Sequence, residues 1–167
     1  DAKIYIGNDT TDSVDVYNND FSFSHSLGAG KGAVKTPNSI AISSSGLIYV
    51  TDTKAHNVKV YNPDATAAFT FGSWGQGNGQ FNFPLGLAID ANKAEVYVTD
   101  LGIYTDPVNG ATSGARVQVF DLNGVFKRSF GDYGTGAGKL TRPLGIAIDA
   151  DSRIYVTDSY QAAVQVF

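Results

Sequence analysis

The 167-residue sequence predicts an all-β fold, a β-propeller of four-stranded blades, on three observations. First, one block is written more than once. Gly72, Gly75, Gly77, Gly79 and Pro84 map without a gap onto Gly131, Gly134, Gly136, Gly138 and Pro143. Second, each proline is followed by Leu-Gly-(Leu/Ile)-Ala-Ile-Asp, then VYVTD or IYVTD, then VQVF. Third, each period holds four short apolar runs, and the first of them carries only alanine on one side. A repeated supersecondary unit buries its apolar faces by stacking on its neighbours.

The elements follow in order. Tyr5, Tyr49, Tyr97 and Tyr155 mark the repeat at spacings of 44, 48 and 58 residues. Four copies result, at about 1–27, 28–71, 72–130 and 131–167. Strand a is expected over Ser39–Ile42, Gly86–Ile89 and Gly145–Ile148. Strand b is expected over Lys3–Ile6, Leu47–Thr51, Glu95–Thr99 and Arg153–Thr157. Strand c covers Val14–Tyr17, Val58–Tyr61, Arg116–Phe120 and Ala163–Val166, and strand d covers Phe21–Ser26, Ala68–Phe71 and Phe126–Phe130. Turn formers separate these runs, as in Ser43-Ser44-Ser45-Gly46 and Asp121-Leu122-Asn123-Gly124. No segment keeps a helical period over ten residues.

Side-chain alternation decides how the sheets pack. In strand a, Ile40/Ile42, Leu87/Ile89 and Ile146/Ile148 point one way, and Ala41, Ala88 and Ala147 the other. Strands b and c are bulkier, with Ile48, Tyr49, Val50, Val58 and Tyr61. Sheets thin at the inside, thick outside and apolar on both faces stack radially. A flat β-sandwich accommodates the strands but not the four-strand period or the small inner strand.

Composition narrows the function. Apolar residues make up 43% and charged residues 17%, as in a β-rich globular chain. The net charge of −4 opposes a surface built to neutralise phosphates, so nucleic acid is not the expected partner. No apolar run nears the ~20 residues of a membrane helix. The absence of cysteine removes disulfides and thiolate metal sites. With no methionine, Asp1 is not read as a translational start, and the chain is expected to be processed or part of a longer one.

The pattern G-x-x-G-x-G-x-G-x-F-x-x-P-x-G-(I/L)-A-I-D, then (I/V)-Y-V-T-D, then V-x-V-(F/Y), resembles the NHL repeat over nearly the whole chain. The resemblance implies a propeller, usually six-bladed, and identifies Asp52 to Val58 as the b–c turn, with His56 where the family often carries a histidine. Repeat one departs from the pattern at Asn8, which replaces the b-strand aspartate, and it lacks strand a. Such propellers include RNA-binding modules, protein-interaction modules, and lyase-like or lactonase-like enzymes with a metal in the central channel, so fold alone does not assign function.

Antiparallel order places the glycine-rich d–a loops and the b–c turns at one end of every blade. That end also receives an insertion, Leu101 to Gly114, since Asp100 lies 17 positions from Val117 where Asp52 lies 6 from Val58. The expected binding face consists of Trp74, Tyr104, Asp106, Tyr133, Lys139 and Arg142. For Trp74 and Tyr133 the competing reading is a plug between adjacent blades. Asp52, Asp100 and Asp158 end the complete b strands. Because one residue type recurs at one structural position, each is read as accepting hydrogen bonds from its own b–c turn rather than as catalytic. Asp90 and Asp149 have the same reading at the a–b turn. Asp100, Asp106 and Asn109 match no calcium-loop spacing, and His25 and His56 lack zinc partners, so no metal or cofactor is expected. Asn38, Leu85 and Leu144, after the strand-a prolines, predict an apolar channel mouth. The sequon Asn8-Asp9-Thr10 matters only in a glycosylating pathway.

The expected function is a non-catalytic module for protein–protein contact or structural assembly, secreted or at the cell surface. The alternative is a segment of a lyase- or lactonase-type propeller enzyme whose catalytic residues lie elsewhere; an RNA-binding module stands third. Two of the four blades are incomplete, so the chain is expected to form an arc completed by more of the same polypeptide, a second copy or another subunit.

Overall fold

The computed structural model describes residues 2–28, 33–102, 104–105 and 112–167. Its first strands are β1 (Lys3–Asn8), β2 (Ser13–Asn18) and β3 (Phe23–Leu27), which form a three-stranded antiparallel sheet, blade 1. Blade 2 contains β4 (Pro37–Ile42), β5 (Ile48–Asp52), β6 (Asn57–Tyr61) and β7 (Ala67–Phe71), with a short 3-10 turn at Thr53–Ala55. Blade 3 is assembled from β8 (Pro84–Asp90) and β9 (Glu95–Asp100), then, beyond the hairpin β10 (Tyr104–Thr105) and β11 (Thr112–Ser113), β12 (Arg116–Asp121) and β13 (Phe126–Phe130). Blade 4 contains β14 (Pro143–Ile148), β15 (Ile154–Asp158) and β16 (Ala163–Val166).

The expected all-β propeller organisation is present, with three local differences. Strand d of blade 1 starts at Phe23, because Phe21 takes φ 65° and closes a turn through its N–H on the Asn18 carbonyl. Each strand a starts at its proline. The insertion carries its own β10–β11 pairing, which the sequence reading missed.

Between blades, alternation separates two sets of side chains. Ile48, Val50 and Tyr61 of blade 2 pack on Val14, Val16 and Leu27 of blade 1. Tyr49, Val58, Val60 and Phe71 turn the other way and meet Leu87, Val96, Val98 and Phe120 of blade 3. A third cluster joins Tyr97, Val117 and Val119 to Ile154 and Val156 of blade 4.

Each interface is closed by one residue of the d–a loop, three positions before the proline: Val34, Phe81 and Leu140, all fully buried. Burying one such side chain contributes roughly 1.5–3 kcal/mol. The glycine ending strand d makes room for it. Gly72 has φ +88°, and a Cβ there would lie 2.5 Å from the Phe81 ring; Gly131 stands in the same relation to Leu140. Both positions need glycine for backbone sign and for space.

The VTD threonines of blades 2 and 3 join blades. All three a strands slip register after the proline, which frees an N–H. Thr51 Oγ1 accepts that N–H from Ser39 at 2.8 Å and donates to the Leu85 carbonyl of the next blade at 2.7 Å. Thr99 accepts from Gly86 at 2.7 Å and donates to Leu144 at 2.9 Å. In blade 1 the equivalent residue is Gly7, where Pro37 approaches so closely that an added Cβ would lie 2.9 Å from its carbonyl oxygen.

Candidate binding face

The end carrying the d–a loops and b–c turns, called here the loop face, is held rigid by buried polar groups. Asp52 accepts the backbone N–H of Lys35 at 2.8 Å and of Thr36 at 3.0 Å. Asp100 accepts that of Asn82 at 2.8 Å, and Asp158 those of Thr141 at 2.6 Å and Arg142 at 3.1 Å. The bonded residues are those just before each strand-a proline. The expectation that each carboxylate caps its own b–c turn is met at Asp158, which also accepts from Tyr160 and Gln161. Asp52 and Asp100 reach across to the segment before the proline. After Asp52 the turn closes on itself through His56 N–H and the Thr53 carbonyl, and after Asp100 the insertion departs. Asp90 and Asp149 do cap their own a–b turns, through Asn92 and Lys93 and through Asp151 and Arg153.

A cationic or amide side chain completes each b-strand site. Lys59 Nζ lies 3.5 Å from Asp52, Arg116 Nε 3.2 Å from Asp100, and Gln161 Nε2 3.1 Å from Asp158. Burial pushes the Asp100 carboxyl up, against the bonds from Asn82 and Arg116. These three acids are almost fully buried and serve as structural fasteners.

The sequence reading missed a second clamp, the glutamine of VQVF. Fully buried Gln118 accepts the Gly79 N–H at 2.9 Å and donates to the Gln80 carbonyl at 2.6 Å. Gln165 repeats this on Gly138 and Lys139. Its signal was the recurrence of glutamine only in the two repeats with the full glycine loop; the second repeat has Lys59 there. Within those loops Gly75, Gly79, Gly134, Gly136 and Gly138 take positive φ, while Gly77 does not.

With the loops fixed, the two readings of Trp74 and Tyr133 separate. Trp74 is 69% exposed and Tyr133 is 43% exposed, so neither plugs a blade interface. Phe81 and Leu140 fill that role, and each is joined by an isolated β-bridge to the aromatic residue that points outward. The structure adds Tyr160, 70% exposed in the b–c turn of blade 4. Arg142 and Lys139 are exposed on the same face, Lys139 lying 3.4 Å from Asp132. The Tyr104 backbone lies in β10, and Asp106 falls outside the described residues, as does Asn109. The insertion is rooted on the Trp74 loop through Gly102 N–H to the Asn82 carbonyl and Leu101 N–H to the Phe83 carbonyl.

His56 secures the same corner. Its Nδ1 accepts the Phe83 N–H at 3.2 Å, and its ring meets Phe83 edge-on at 4.8 Å. Partial burial lowers its pKa, with Asp52 pulling the other way. His25 sits apart, on β3, against Ser24. Around the inner strands, Asn38, Leu85 and Leu144 line a hollow of about 330 Å3 with Ser39, Gly86 and Ile146, so polar and apolar groups share it. Asn8 uses both ends of its amide, accepting from Thr10 and Thr11 and donating to Asp15. Among the described residues, no three His, Asp or Glu side chains gather as metal ligands, and no helix is long and apolar enough to cross a membrane.

Comparison with known proteins places this geometry. The NHL repeat family model matches residues 35–61 and 140–167, the a–b–c portions of blades 2 and 4. Protein brain tumor of Drosophila melanogaster is 26% identical over 141 residues, which cover 84% of this chain and 12% of that protein. Among solved structures, the nidogen/laminin complex superposes over 99% of this chain and 56% of the matched chain, with TM-score 0.76 at 17% identity. A streptogramin B lyase superposes over 99% and 51%, with TM-score 0.68 at 13% identity. This chain thus spans about half the length of those matched structures and a small part of the matched fly protein. Repeat model, relative and superposition agree with the blade geometry: the chain carries NHL repeats folded as blades of a β-propeller.

Proposed function

We propose that the chain is a non-catalytic docking module that receives a protein partner on its loop face, within a secreted or cell-surface protein. The observation carrying this reading is the exposure of Trp74, Tyr133 and Tyr160 on one clamped face. Large aromatic side chains on a rigid frame bind with little loss of conformational freedom, which is why they dominate interface energetics. The loops beneath them are fixed by buried carboxylates and glutamines, so the face is preorganised. The preference for an exported setting rests on the sparsely charged, Ser/Thr/Asn/Gly-rich sequence.

The arc also has a surface fitted to another blade. Val164 and Val166 of β16 are 59% and 57% exposed, whereas Val117 and Val119 at the same positions of β12 are fully buried under blade 4. The expected native mass is therefore above 17.6 kDa for this chain alone in solution. A stable monomer at that mass would count against assembly through this surface.

A photo-crosslinking residue placed at Tyr133, and separately at Asn123 on the opposite end, tests the docking reading in extracellular extract of the source. Nuclease-resistant adducts at position 133 and none at 123 are expected. Adducts only at 123, nuclease-sensitive adducts, or a stoichiometric metal with turnover of a lactone would contradict it.

A further inference from the structure

We propose that the hollow beside Trp74 is an anchor pocket for one large apolar side chain of a partner segment whose flanking residues are acidic. The inference rests on the protein-docking reading and names the chemistry of the partner.

The hollow measures about 290 Å3 and is lined by Trp74, Gly75, Gln76 and Asn82. That is at the lower limit of small-molecule pockets and suits a single side chain rather than an extended ligand. Among the described residues, no charged side chain lines it. One wall is an indole that is 69% exposed, and the glycine beside it has φ +152° with the Gln80 amide packed where a Cβ would stand. Its floor does not yield: Asn82 is bonded through its N–H to buried Asp100 and through its carbonyl to Gly102. Gln118 and Arg116 hold the carbonyls of Gln80 and Gly77 in the same loop. Anchors that dominate binding sit in pockets of fixed shape.

Charge around the pocket selects the flanks. Lys54 is exposed on the 3-10 turn whose Thr53 donates to the Pro84 carbonyl and whose following residue, His56, holds Phe83, so it stands on the blade 2 side of the segment that follows Asn82. Lys139 and Arg142 are exposed on the next loop, the blade 4 side. Among described residues of blades 2 to 4 on this face, exposed Lys35, Lys54, Lys139 and Arg142 face a single exposed acid, Asp132, although the chain as a whole carries −4. The acids that end the b strands are buried and bonded, so they do not offset this local excess. Complementarity of this kind selects an acidic partner. A stretch of RNA also carries negative charge, but one small pocket offers a single insertion site rather than a stacking track along a strand.

Trp74 is the only tryptophan, so its fluorescence reports the pocket directly. A random 12-residue phage-displayed peptide library is selected on the folded chain, and the enriched peptides are titrated against it and against W74A and K54E/R142E. Both variants must keep the native circular dichroism spectrum and thermal midpoint. The expected winners hold one Phe, Trp, Leu or Met among Asp and Glu and shift the Trp74 emission saturably. They should weaken at least tenfold when that apolar residue becomes alanine, and again with K54E/R142E. Enriched peptides that leave Trp74 emission unchanged and bind W74A equally would overturn the anchor while the docking reading stands. Enrichment of basic peptides would overturn the charge argument and with it the proposal. Failure to enrich any peptide, or tighter saturable binding of a 12-nucleotide single-stranded RNA, would overturn both.

Discussion

The hydroxyl of Thr99 in blade 3 donates to the carbonyl of Leu144 in blade 4 at 2.9 Å while accepting the N–H of Gly86 in its own blade. One side chain thereby satisfies a bulged strand and crosses to the next sheet. Thr99→Val keeps the shape and removes both bonds, leaving buried polar groups unpaired at a cost of about 1–3 kcal/mol. Thr157→Val, whose hydroxyl is bonded within its own blade to Gly145, should cost less. Urea unfolding of the two variants checks the order, and equal losses would show that the crossing bond contributes nothing.

The plug and its glycine should be the most sensitive pair in the loops. Phe81→Ala should destabilise by about 3–5 kcal/mol, the range for truncating a buried phenylalanine. Gly72→Ala combines an unfavourable φ with a Cβ at 2.5 Å from the Phe81 ring, and should cost at least ~2 kcal/mol. Chemical denaturation reads both; a loss below about 1 kcal/mol in either would contradict the plug assignment.

His56 sets a pH dependence. Its folded pKa is depressed, so the unfolded chain takes up the proton first. The stability it contributes is present above its unfolded value of about 6.5 and declines as pH falls through the folded value. His56→Asn keeps an acceptor for the Phe83 N–H and tolerates the left-handed backbone at φ 55°. Between pH 7 and 5, the thermal midpoint of H56N should fall less than that of the parent; parallel curves would show that His56 is not the titrating group.

At the opposite end, Glu95 should govern a lower pH range. Bonds from Arg128, with Lys127 and Tyr97 adding to them, hold its carboxyl well below the usual carboxylate range despite burial. Its contribution is present above the unfolded value of about 4.3 and is lost as pH falls toward the folded value. Glu95→Gln should therefore lower the midpoint at pH 7 and lessen the further drop between pH 5 and 3. An unchanged acid slope would contradict this.

Much of the frame was legible because it repeats. Period-two alternation around Tyr49, Tyr97 and Tyr155 located the strands, and equal glycine spacing put Trp74 and Tyr133 at equivalent loop positions. The direction of those two rings was not legible, because it depends on Phe81 and Leu140 folding back from farther along the loop. The partners of Asp52 and Asp100 were missed for a related reason. Local turn chemistry pointed to the following residues, whereas the bonds close over 16 to 18 positions. Tyr160 escaped notice because blade 2 carries Lys54 at the same place. A residue peculiar to one copy disappears when repeats are read by what they share, and binding residues are often of that kind.

The most direct test of the account is the combined variant W74A/Y133A/Y160A, measured both for thermal unfolding and for binding of the peptides or partner captured on the loop face. Exposed side chains that serve recognition leave stability nearly unchanged, within about 1 kcal/mol for the set. Binding should fall at least a hundredfold, about 2.7 kcal/mol. A variant that unfolds several degrees lower, or one that binds as the parent does, would contradict the assignment of these aromatics to a docking face.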